Sequence, residues 1–225
     1  LTDFANEFKI PCIGGKVSLY NETPSGPIKP TPLIGVLGLI DKKPLVSQKI
    51  LSGDNLVIIG DTKDELGGSE YFEYIHKFIG GNCPTVNFKE SKKNMSSVLD
   101  SIKQQIPKSV HDCSKGGLAV AVAELCMTNQ IGCNVLLNKV PGEKLTDDRI
   151  LFSESHSRYL LTINEKNIKK LENILKKNKV TFQIIGKFGS KKIQFVHGTK
   201  SIIDLDVDKA QKTWFNSLKN MVLHG

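Results

Sequence analysis

Apolar and polar residues alternate in short runs over the first forty positions of the chain. Residues 8–13, 16–20 and 33–40 are apolar or alternating and are bounded by glycine and proline, a pattern that predicts three strands. A single layer of three strands has nothing against which to pack its apolar face. We therefore predict that residues 1–43 form the last strands of a domain whose remainder lies outside this sequence.

A self-contained pattern of strands and helices follows from residue 44 onward. Strands are predicted at 56–60, 110–112, 133–137, 159–163, 181–185 and 193–197, and helices at 70–78, 96–106, 118–126, 164–177 and 208–221. The helix at 118–126 is apolar on every side and should be buried, whereas the helix at 164–177 is amphipathic. Because regular βαβ alternation and a GxGxxG fingerprint are both missing, residues 44–225 are predicted to form an α+β sandwich rather than a doubly wound sheet.

The composition is that of an ordinary globular protein. The 225 residues are 39% hydrophobic and 24% charged, which allows one large domain or one domain with part of another. No run approaches the roughly 18 apolar residues of a membrane span, and the chain starts at Leu1 without a basic and apolar leader. We predict a soluble, cytoplasmic protein with no membrane contact.

The net charge of +8 suggests an acidic partner, but its chemistry argues against nucleic acid. Almost all of the positive charge is lysine, and only Arg149 and Arg158 are arginine. Base and phosphate recognition favours the forked guanidinium of arginine, and single-strand binding adds aromatic side chains. Nucleic-acid binding is therefore a minor alternative.

The five cysteines form no CxxC pair, so the sequence does not predict a zinc site. Cys113 follows His111 and Asp112, which raises the alternative of a thiol nucleophile. Its place beside the apolar helix at 118–126 favours a buried, inert residue instead.

Two neighbouring motifs carry the first candidate chemistry. They read GGKVSLYNET at residues 14–23 and IKPTPLIG at residues 28–35. Paired glycines between strands let backbone N–H groups approach and hold phosphate oxygens, although a tight turn needs the same residues.

Three further motifs place hydroxyl, glycine and charged residues near element ends. They read DELGGSEY at 64–71, HDCSKGGLA at 111–119 and LFSESHSR at 151–158. Ser69 and Ser114 are predicted N-caps of glycine-rich helix starts, where free N–H groups can bind anions. The motif at 64–71 could equally be a plain helix start, and in the motif at 111–119 close packing of a buried helix is the favoured alternative reason for the glycines. In the motif at 151–158 one carboxylate (Glu154), three serine hydroxyls and one arginine (Arg158) could together grip a ribose phosphate, with a structural role for Glu154 and Arg158 as the alternative.

Taken in order, these motifs closely resemble the second half of the phosphoribosylformylglycinamidine synthase (PurL) family. The resemblance runs from about residue 10 to residue 158, with a matching tail. It implies the architecture of the aminoimidazole ribonucleotide synthetase superfamily, which is built from N-type and C-type domains. Residues 1–43 would then be the C-terminal remnant of the second, ATP-binding N-type domain, and residues 44–225 the complete second C-type α/β sandwich domain.

The resemblance also implies roles for residues of the first motif. Gly15 would contact ATP and Ser18 the ribonucleotide substrate. Lys16 stands where the family usually has an asparagine that helps to hold Mg²⁺, and a protonated lysine offers donors only. We hypothesise that Lys16 contacts a phosphate instead, with a lysine that merely extends into solvent as the alternative.

The resemblance implies that the motif at 151–158 sits where the symmetry of this family places an auxiliary, non-catalytic nucleotide site. The residues that match are Ser69, Ser114, Gly116, Gly117, Glu154 and Arg158. The resemblance places the catalytic residues and most of the magnesium carboxylates in the first half of the enzyme. This chain is accordingly predicted to hold no catalytic residue and no metal ligand.

The implied reaction converts formylglycinamide ribonucleotide to formylglycinamidine ribonucleotide with ATP, Mg²⁺ and ammonia, a step of purine synthesis. The implied partners are the N-terminal half of the enzyme and, as further candidates, a glutaminase and small PurS-type subunits. The chain alone is predicted to be inactive, and dimerisation through residues 1–43 is a further hypothesis. Two alternatives stay open: another ATP-using enzyme of the superfamily, such as aminoimidazole ribonucleotide synthetase, selenophosphate synthetase or a hydrogenase-maturation ATPase, and a non-catalytic nucleotide-binding or assembly module.

Overall fold

The computed structural model describes residues 1–29, 31–40 and 46–224. It divides into two units, Leu1–Lys43 and Pro44–Gly225, which we describe separately. The predicted boundary between residues 43 and 44, and Pro30 of the second motif, lie outside the described residues.

The first unit contains little regular structure. Its elements are α1 (Thr2–Phe8), β1 (Glu22–Thr23) and β2 (Gly26–Pro27), and the two short strands pair with each other in antiparallel fashion. Helix α1 ends at Lys9, which adopts a left-handed conformation with φ of 55°.

The strands predicted at 8–13, 16–20 and 33–40 are wrong, because these residues belong to no strand in the structure. A strand needs a neighbour to accept and donate its backbone hydrogen bonds, and the described residues of this unit supply none for these segments. Their apolar side chains consequently stay in solvent: Ile13, Leu19 and Leu37 are 85–92% exposed.

The second unit is built around a seven-stranded sheet. Its strands are β3 (Asn55–Ile59), β4 (Ser109–Asp112), β5 (Gly132–Leu136), β6 (Tyr159–Ile163), β7 (Phe182–Ser190), β8 (Lys192–His197) and β9 (Lys200–Asp206). They lie in the order β4-β6-β3-β7-β5-β8-β9, and all neighbours are antiparallel except the parallel pair β5 and β8. The helices of this unit are α2 (Glu70–Tyr74), α3 (Phe88–Lys103), α4 (Gly117–Asn129), α5 (Asp147–Phe152), α6 (Ile168–Lys177) and α7 (Val207–His224), and those other than α2 cover both faces of the sheet.

Strand β3 shows why the sheet is buried on both sides. Its five residues are all buried, and their side chains alternate between two separate cores. Leu56 and Ile58 pack in the core formed with α4 and α5, whereas Val57 and Ile59 pack in the core formed with α3 and α6. A sheet covered on both faces favours continuous apolar runs, as this strand has.

Most predicted elements of the second unit are present, with shifted ends. The strands predicted at 56–60, 133–137 and 159–163 correspond to β3, β5 and β6, and the amphipathic helix predicted at 164–177 begins at Ile168 after a 3-10 turn. Helix α2 ends at Tyr74, short of the predicted residue 78, and Lys77 just beyond it is left-handed with φ of 54°. Helix α3 begins eight residues before the predicted residue 96, at Phe88, where Asn87 caps it. Strand β9 and helix α5 were not predicted.

The described residues contain no helix that is both long enough and apolar enough to cross a membrane.

Candidate functional site

Three of the sequence motifs meet at one cleft of the second unit. The cleft has a volume of about 450 Å³ and is lined by Gly67, Gly68, Cys83, Pro84, Asp112, Cys113, Ser114, Lys115, Glu154, His156, Ser157, Arg158 and Tyr159. Strands β4 and β6 explain the meeting, because they are antiparallel neighbours with Asp112 paired to Tyr159. The turn that leaves β4 therefore lies beside the turn that enters β6. A hydrogen bond of 3.0 Å from Cys113 N to Arg158 O joins the two turns.

Glu154 ties this cleft to the starts of two helices. Its Oε1 accepts hydrogen bonds from the backbone N–H of Glu70 at 3.0 Å and of Gly116 at 2.9 Å. Glu70 begins α2 and Gly116 is the N-cap of α4. A carboxylate is favourable there because helix starts present unpaired N–H groups and a partial positive charge. Glu154 thus already occupies two N–H groups that could otherwise face an anion.

Arg158 is a buried cation beneath the cleft, with 1% of its surface exposed. Its guanidinium donates to the carbonyl of Ser155 at 3.1 Å, to Oγ1 of Thr62 at 3.1 Å and to the carbonyl of Ser153. Burial lowers the pKa of Arg158, because removing water disfavours the charged form. These contacts hold the turn before β6 in place and leave a positive charge close to the surface of the cleft.

The two predicted N-caps have different outcomes. Ser69 is buried and caps α2, since its Oγ accepts a hydrogen bond of 3.2 Å from Phe72 N. Ser114 does not cap α4, so that prediction is wrong. The N-cap is Gly116, which adopts a left-handed conformation with φ of 78°, and Ser114 is exposed on the wall of the cleft. The tight turn created by two consecutive left-handed glycines moves the helix start beyond the serine.

Gly117 is required by close packing. A Cβ on it would lie 2.5 Å from the carbonyl oxygen of Ser153 and 2.9 Å from that of Leu151. Its φ of 65° also lies in the left-handed region that favours glycine. This observation supports the favoured alternative for the motif at 111–119, in which glycine lets the buried helix α4 approach its neighbours.

Lys115 and His156 are the exposed basic residues of the cleft. Lys115 Nζ lies 2.8 Å from Glu70 Oε1, and this hydrogen bond raises the pKa of Lys115. Both residues belong to motifs recognised in the sequence, although neither was among the predicted site residues. Their position directly beside selected residues is the signal that could have identified them.

The thiol of Cys113 is buried, with 6% of the residue exposed, a setting that is unfavourable for a nucleophile. Burial raises the pKa of its thiol to about 11, so the reactive thiolate is disfavoured at neutral pH. The neighbouring His111 instead directs its Nε2 towards Glu124 Oε2 at 3.1 Å. The prediction of a buried, inert residue fits this geometry.

Gly15, Lys16 and Ser18 belong to the first unit, and all three are exposed. A Cβ on Gly15 would meet no atom within 4 Å, so no contact described within the chain requires glycine there. The two motifs of this unit border a shallow concavity of about 540 Å³, lined by Asn21, Ile28, Lys29, Thr31 and Pro32. The structure brings the ends of the motifs together, whereas the three selected residues are not among those that line the concavity.

No metal centre is formed within the part of the chain that the structure describes. There, no three His, Cys, Asp or Glu side chains converge as ligands.

Comparison with known families and proteins gives consistent matches. The family model described as "AIR synthase related protein, C-terminal domain" matches residues 52–198, more than half of the chain. The phosphoribosylformylglycinamidine synthase subunit PurL of Methanocaldococcus jannaschii is 39% identical over 230 residues, which cover 99% of this chain and 31% of that protein. The PurL subunit of Thermococcus sibiricus is 36% identical over 224 residues, with 99% and 31% covered. The chain thus spans less than a third of the length of these relatives.

Solved structures share the fold. PurL of T. maritima complexed with FGAR superposes with a TM-score of 0.68 and 18% identity, covering 75% of this chain and 29% of that chain. The complex of the same protein with ATP gives a TM-score of 0.62 and 18% identity, covering 75% and 27%. PurLQS from Thermotoga maritima gives a TM-score of 0.61 and 17% identity, covering 73% and 27%. The predicted α+β sandwich of the aminoimidazole ribonucleotide synthetase type is confirmed.

Proposed function

Because this chain belongs to the family described as AIR synthase related protein, C-terminal domain, we propose that it is the C-terminal part of a phosphoribosylformylglycinamidine synthase. One observation carries the proposal: the 39% identity to the M. jannaschii PurL subunit extends over 99% of this chain. All five motifs quoted above lie inside that stretch. We further propose that residues 1–43 derive from the second N-type domain and residues 44–225 from the second C-type domain.

The proposed enzyme uses ATP to activate an amide. The γ-phosphoryl group of ATP is transferred to the amide oxygen of formylglycinamide ribonucleotide, and ammonia then displaces the phosphate to form the amidine. The products are formylglycinamidine ribonucleotide, ADP and phosphate. Such chemistry depends on N–H donors and cations that are positioned against anionic oxygens. The FGAR and ATP complexes of T. maritima PurL support this choice of substrates.

In the proposed enzyme the first unit supplies one wall of the active site. Gly15 would allow ATP to approach the backbone, and Ser18 would donate a hydrogen bond to the ribonucleotide. Both are exposed and so are accessible to ligands. Lys16 would place its ammonium group on a phosphate oxygen. The resemblance places the catalytic residues outside this chain, so we expect the chain to be inactive alone.

The Mg²⁺ of the reaction does not fit the residues of this chain. Magnesium prefers carboxylate and other oxygen ligands, whereas Lys16 offers only donors. The described residues contain no converging set of carboxylates that could replace it. We therefore assign the metal to the rest of the enzyme.

The cleft of the second unit is proposed as an auxiliary nucleotide site. Its lining offers a phosphate the cations of Lys115 and the buried Arg158 and the imidazole of His156, alongside the carboxylates of Asp112 and Glu154. Ser114 adds an exposed hydroxyl. Ser69, Gly116, Gly117 and Glu154 would shape the site by fixing the helix starts around it, as their contacts in the structure do.

The proposed partners are the N-terminal remainder of the enzyme and additional subunits. The relatives are more than three times as long as this chain, which supports the first partner. The PurLQS structure from Thermotoga maritima supports the second. We propose that these additional subunits are a glutaminase, as the source of ammonia, and a small PurS-type protein.

A chimeric enzyme tests the proposed reaction. The 230 matched residues of the M. jannaschii subunit are replaced by this chain, and ADP release is followed with ATP, Mg²⁺, formylglycinamide ribonucleotide and ammonium. We expect ADP release that requires both the ribonucleotide and ammonium. Ser18→Ala should lower kcat/KM at least tenfold, whereas the control Ser25→Ala, an exposed serine of the same unit, should not. A folded chimera that releases no ADP would contradict the proposed function.

Calorimetric titration with ADP tests the auxiliary site separately. Lys115→Ala should weaken ADP binding to the chain about tenfold, because it removes an exposed cation from the lining of the cleft. Lys176→Ala is the matched control, since Lys176 also forms a surface ion pair, with Glu172 at 3.0 Å. Equal affinity of both variants, or no binding at millimolar ADP, would remove the auxiliary site from the proposal.

A further inference from the structure

Helix α7 leaves the second unit with one apolar face uncovered. Its first turns are anchored: Val207 is buried in the core beside α4, and the side-chain amide of Gln211 donates to the carbonyl of Met127 at 3.3 Å. From residue 212 onward, every described side chain is exposed. The exposed part includes Trp214, Phe215, Leu218, Met221 and Val222, which are 55–72% exposed.

These five residues form a single stripe. At about 100° per residue, their spacing of three, four and seven positions places them within roughly one third of the helix circumference. The opposite side carries the polar Lys209 and Asn216 and one exposed apolar residue, Leu223. This is the i, i+4, i+7 pattern by which an amphipathic helix inserts into an apolar groove.

The charges along the helix indicate which kind of partner surface would be complementary to it. Residues 209–224 contain lysines at 209, 212 and 219 and no aspartate or glutamate. A partner surface with carboxylates at its rim would therefore be complementary, whereas another helix of the same sequence would bring only lysines. The stripe exposes on the order of 500 Å² of apolar surface, which falls short of the about 800 Å² per partner in a stable dimer. Both arguments disfavour a second copy of this chain.

We propose that the α7 stripe docks into an acid-rimmed apolar groove on the part of the enzyme that lies outside this chain. This inference rests on the proposed function, which supplies the partner. The relatives carry about two thirds of their length beyond the matched region, enough to form such a groove. Docking fixes the C-terminal helix to the rest of the enzyme through contacts separate from the cleft.

Hydrogen exchange of residues 212–224 measures this docking in the chimeric enzyme described above and in the free chain. Docking should slow exchange of these amides at least tenfold in the chimera relative to the free chain. Leu218→Asp should abolish the protection, because it places a charge in the stripe. Asn216→Asp introduces the same charge on the opposite side and should preserve it.

ADP release by the chimera and the protection of α7 together distinguish failure of the docking proposal from failure of the proposed reaction. An active chimera without extra protection of α7 overturns docking and leaves the proposed function intact. A folded, inactive chimera in which α7 is protected contradicts the reaction and supports docking, and a folded chimera with neither contradicts both. A dimer of the free chain that Leu218→Asp dissociates would identify a second copy as the occupant and overturn the proposal. Protection of the free chain by vesicles of phosphatidylcholine and phosphatidylglycerol, without protection in the chimera, would also overturn it.

Discussion

Replacing Gly117 by alanine tests whether close packing of α4 holds the cleft together. The added Cβ would lie 2.5 Å from the carbonyl oxygen of Ser153 and 2.9 Å from both the carbonyl oxygen of Leu151 and the carbonyl carbon of Phe152. All three are backbone atoms, so no side-chain rotation can relieve the contact. The helix or the segment at 151–153 must move. Such a movement would shift the carbonyl that accepts from Arg158.

The cost of Gly117→Ala has two parts. A left-handed conformation costs a residue with a Cβ roughly 1–2 kcal/mol. Overpacking against a rigid neighbour adds about 1–3 kcal/mol. We therefore expect a loss of about 2–5 kcal/mol, which is a large fraction of the roughly 5–15 kcal/mol that stabilises a typical domain. Gly198→Ala provides the control, because Gly198 has a similar φ of 60° and an added Cβ there meets nothing within 4 Å.

Urea unfolding followed by circular dichroism measures both variants. Gly198→Ala should lose only the conformational part, about 1–2 kcal/mol. Gly117→Ala should lose about 1–3 kcal/mol more than the control. If the two variants have the same unfolding free energy within error, the contact with residues 151–153 does not constrain α4, and the packing argument is refuted.

Three further predictions concern single side chains. Arg158→Met should lower the free energy of unfolding by about 3–5 kcal/mol, because it leaves three buried acceptors unpaired, and a loss below 1 kcal/mol in urea unfolding would contradict this role. Cys113 should destabilise the fold as the pH rises from about 9 to about 11. Its thiol has a pKa of about 11 in the folded chain and of 9.0 in the unfolded chain, so in this range only the unfolded chain loses the proton. The free energy of unfolding should therefore fall by about 1.4 kcal/mol per pH unit. Cys113→Ala should show a correspondingly shallower pH dependence in the same assay, and an unchanged slope would exclude the effect. Lys16→Asn in the chimeric enzyme should change the Mg²⁺ dependence of ADP release, and identical magnesium titrations would remove the phosphate role of Lys16.

The elements predicted best from the sequence are those whose own apolar pattern shows which of their faces are buried. The apolar runs of β3 and β6 and the amphipathic pattern with Leu171 and Leu175 gave the correct elements, because burial on two faces or on one face leaves a distinct periodicity. The strands predicted at 16–20 and 33–40 failed for the converse reason. Their alternation is suited to a sheet, but pairing requires neighbouring strands that the described part of the first unit does not provide.

The cleft was predictable in its components but not in its assembly. The glycine-rich and serine-rich motifs could be identified from spacing, whereas the bond from Arg158 to Thr62 joins residues 96 positions apart. No local pattern contains that information. The displaced cap at Ser114 shows a subtler limit, because a serine before a helix is a good cap only if the following backbone does not turn first. Two left-handed glycines made that turn here.

The shared acceptor at Glu154 has a consequence for how the cleft can open. A single oxygen receives the N–H groups of Glu70 and Gly116, so the turns that precede α2 and α4 are joined through one atom. Neither turn can move far without weakening the hydrogen bond of the other. Local opening should therefore be cooperative, with both turns released in the same event although they are distant in sequence. Any molecule that enters the cleft by displacing Glu154 would loosen both helix starts at once.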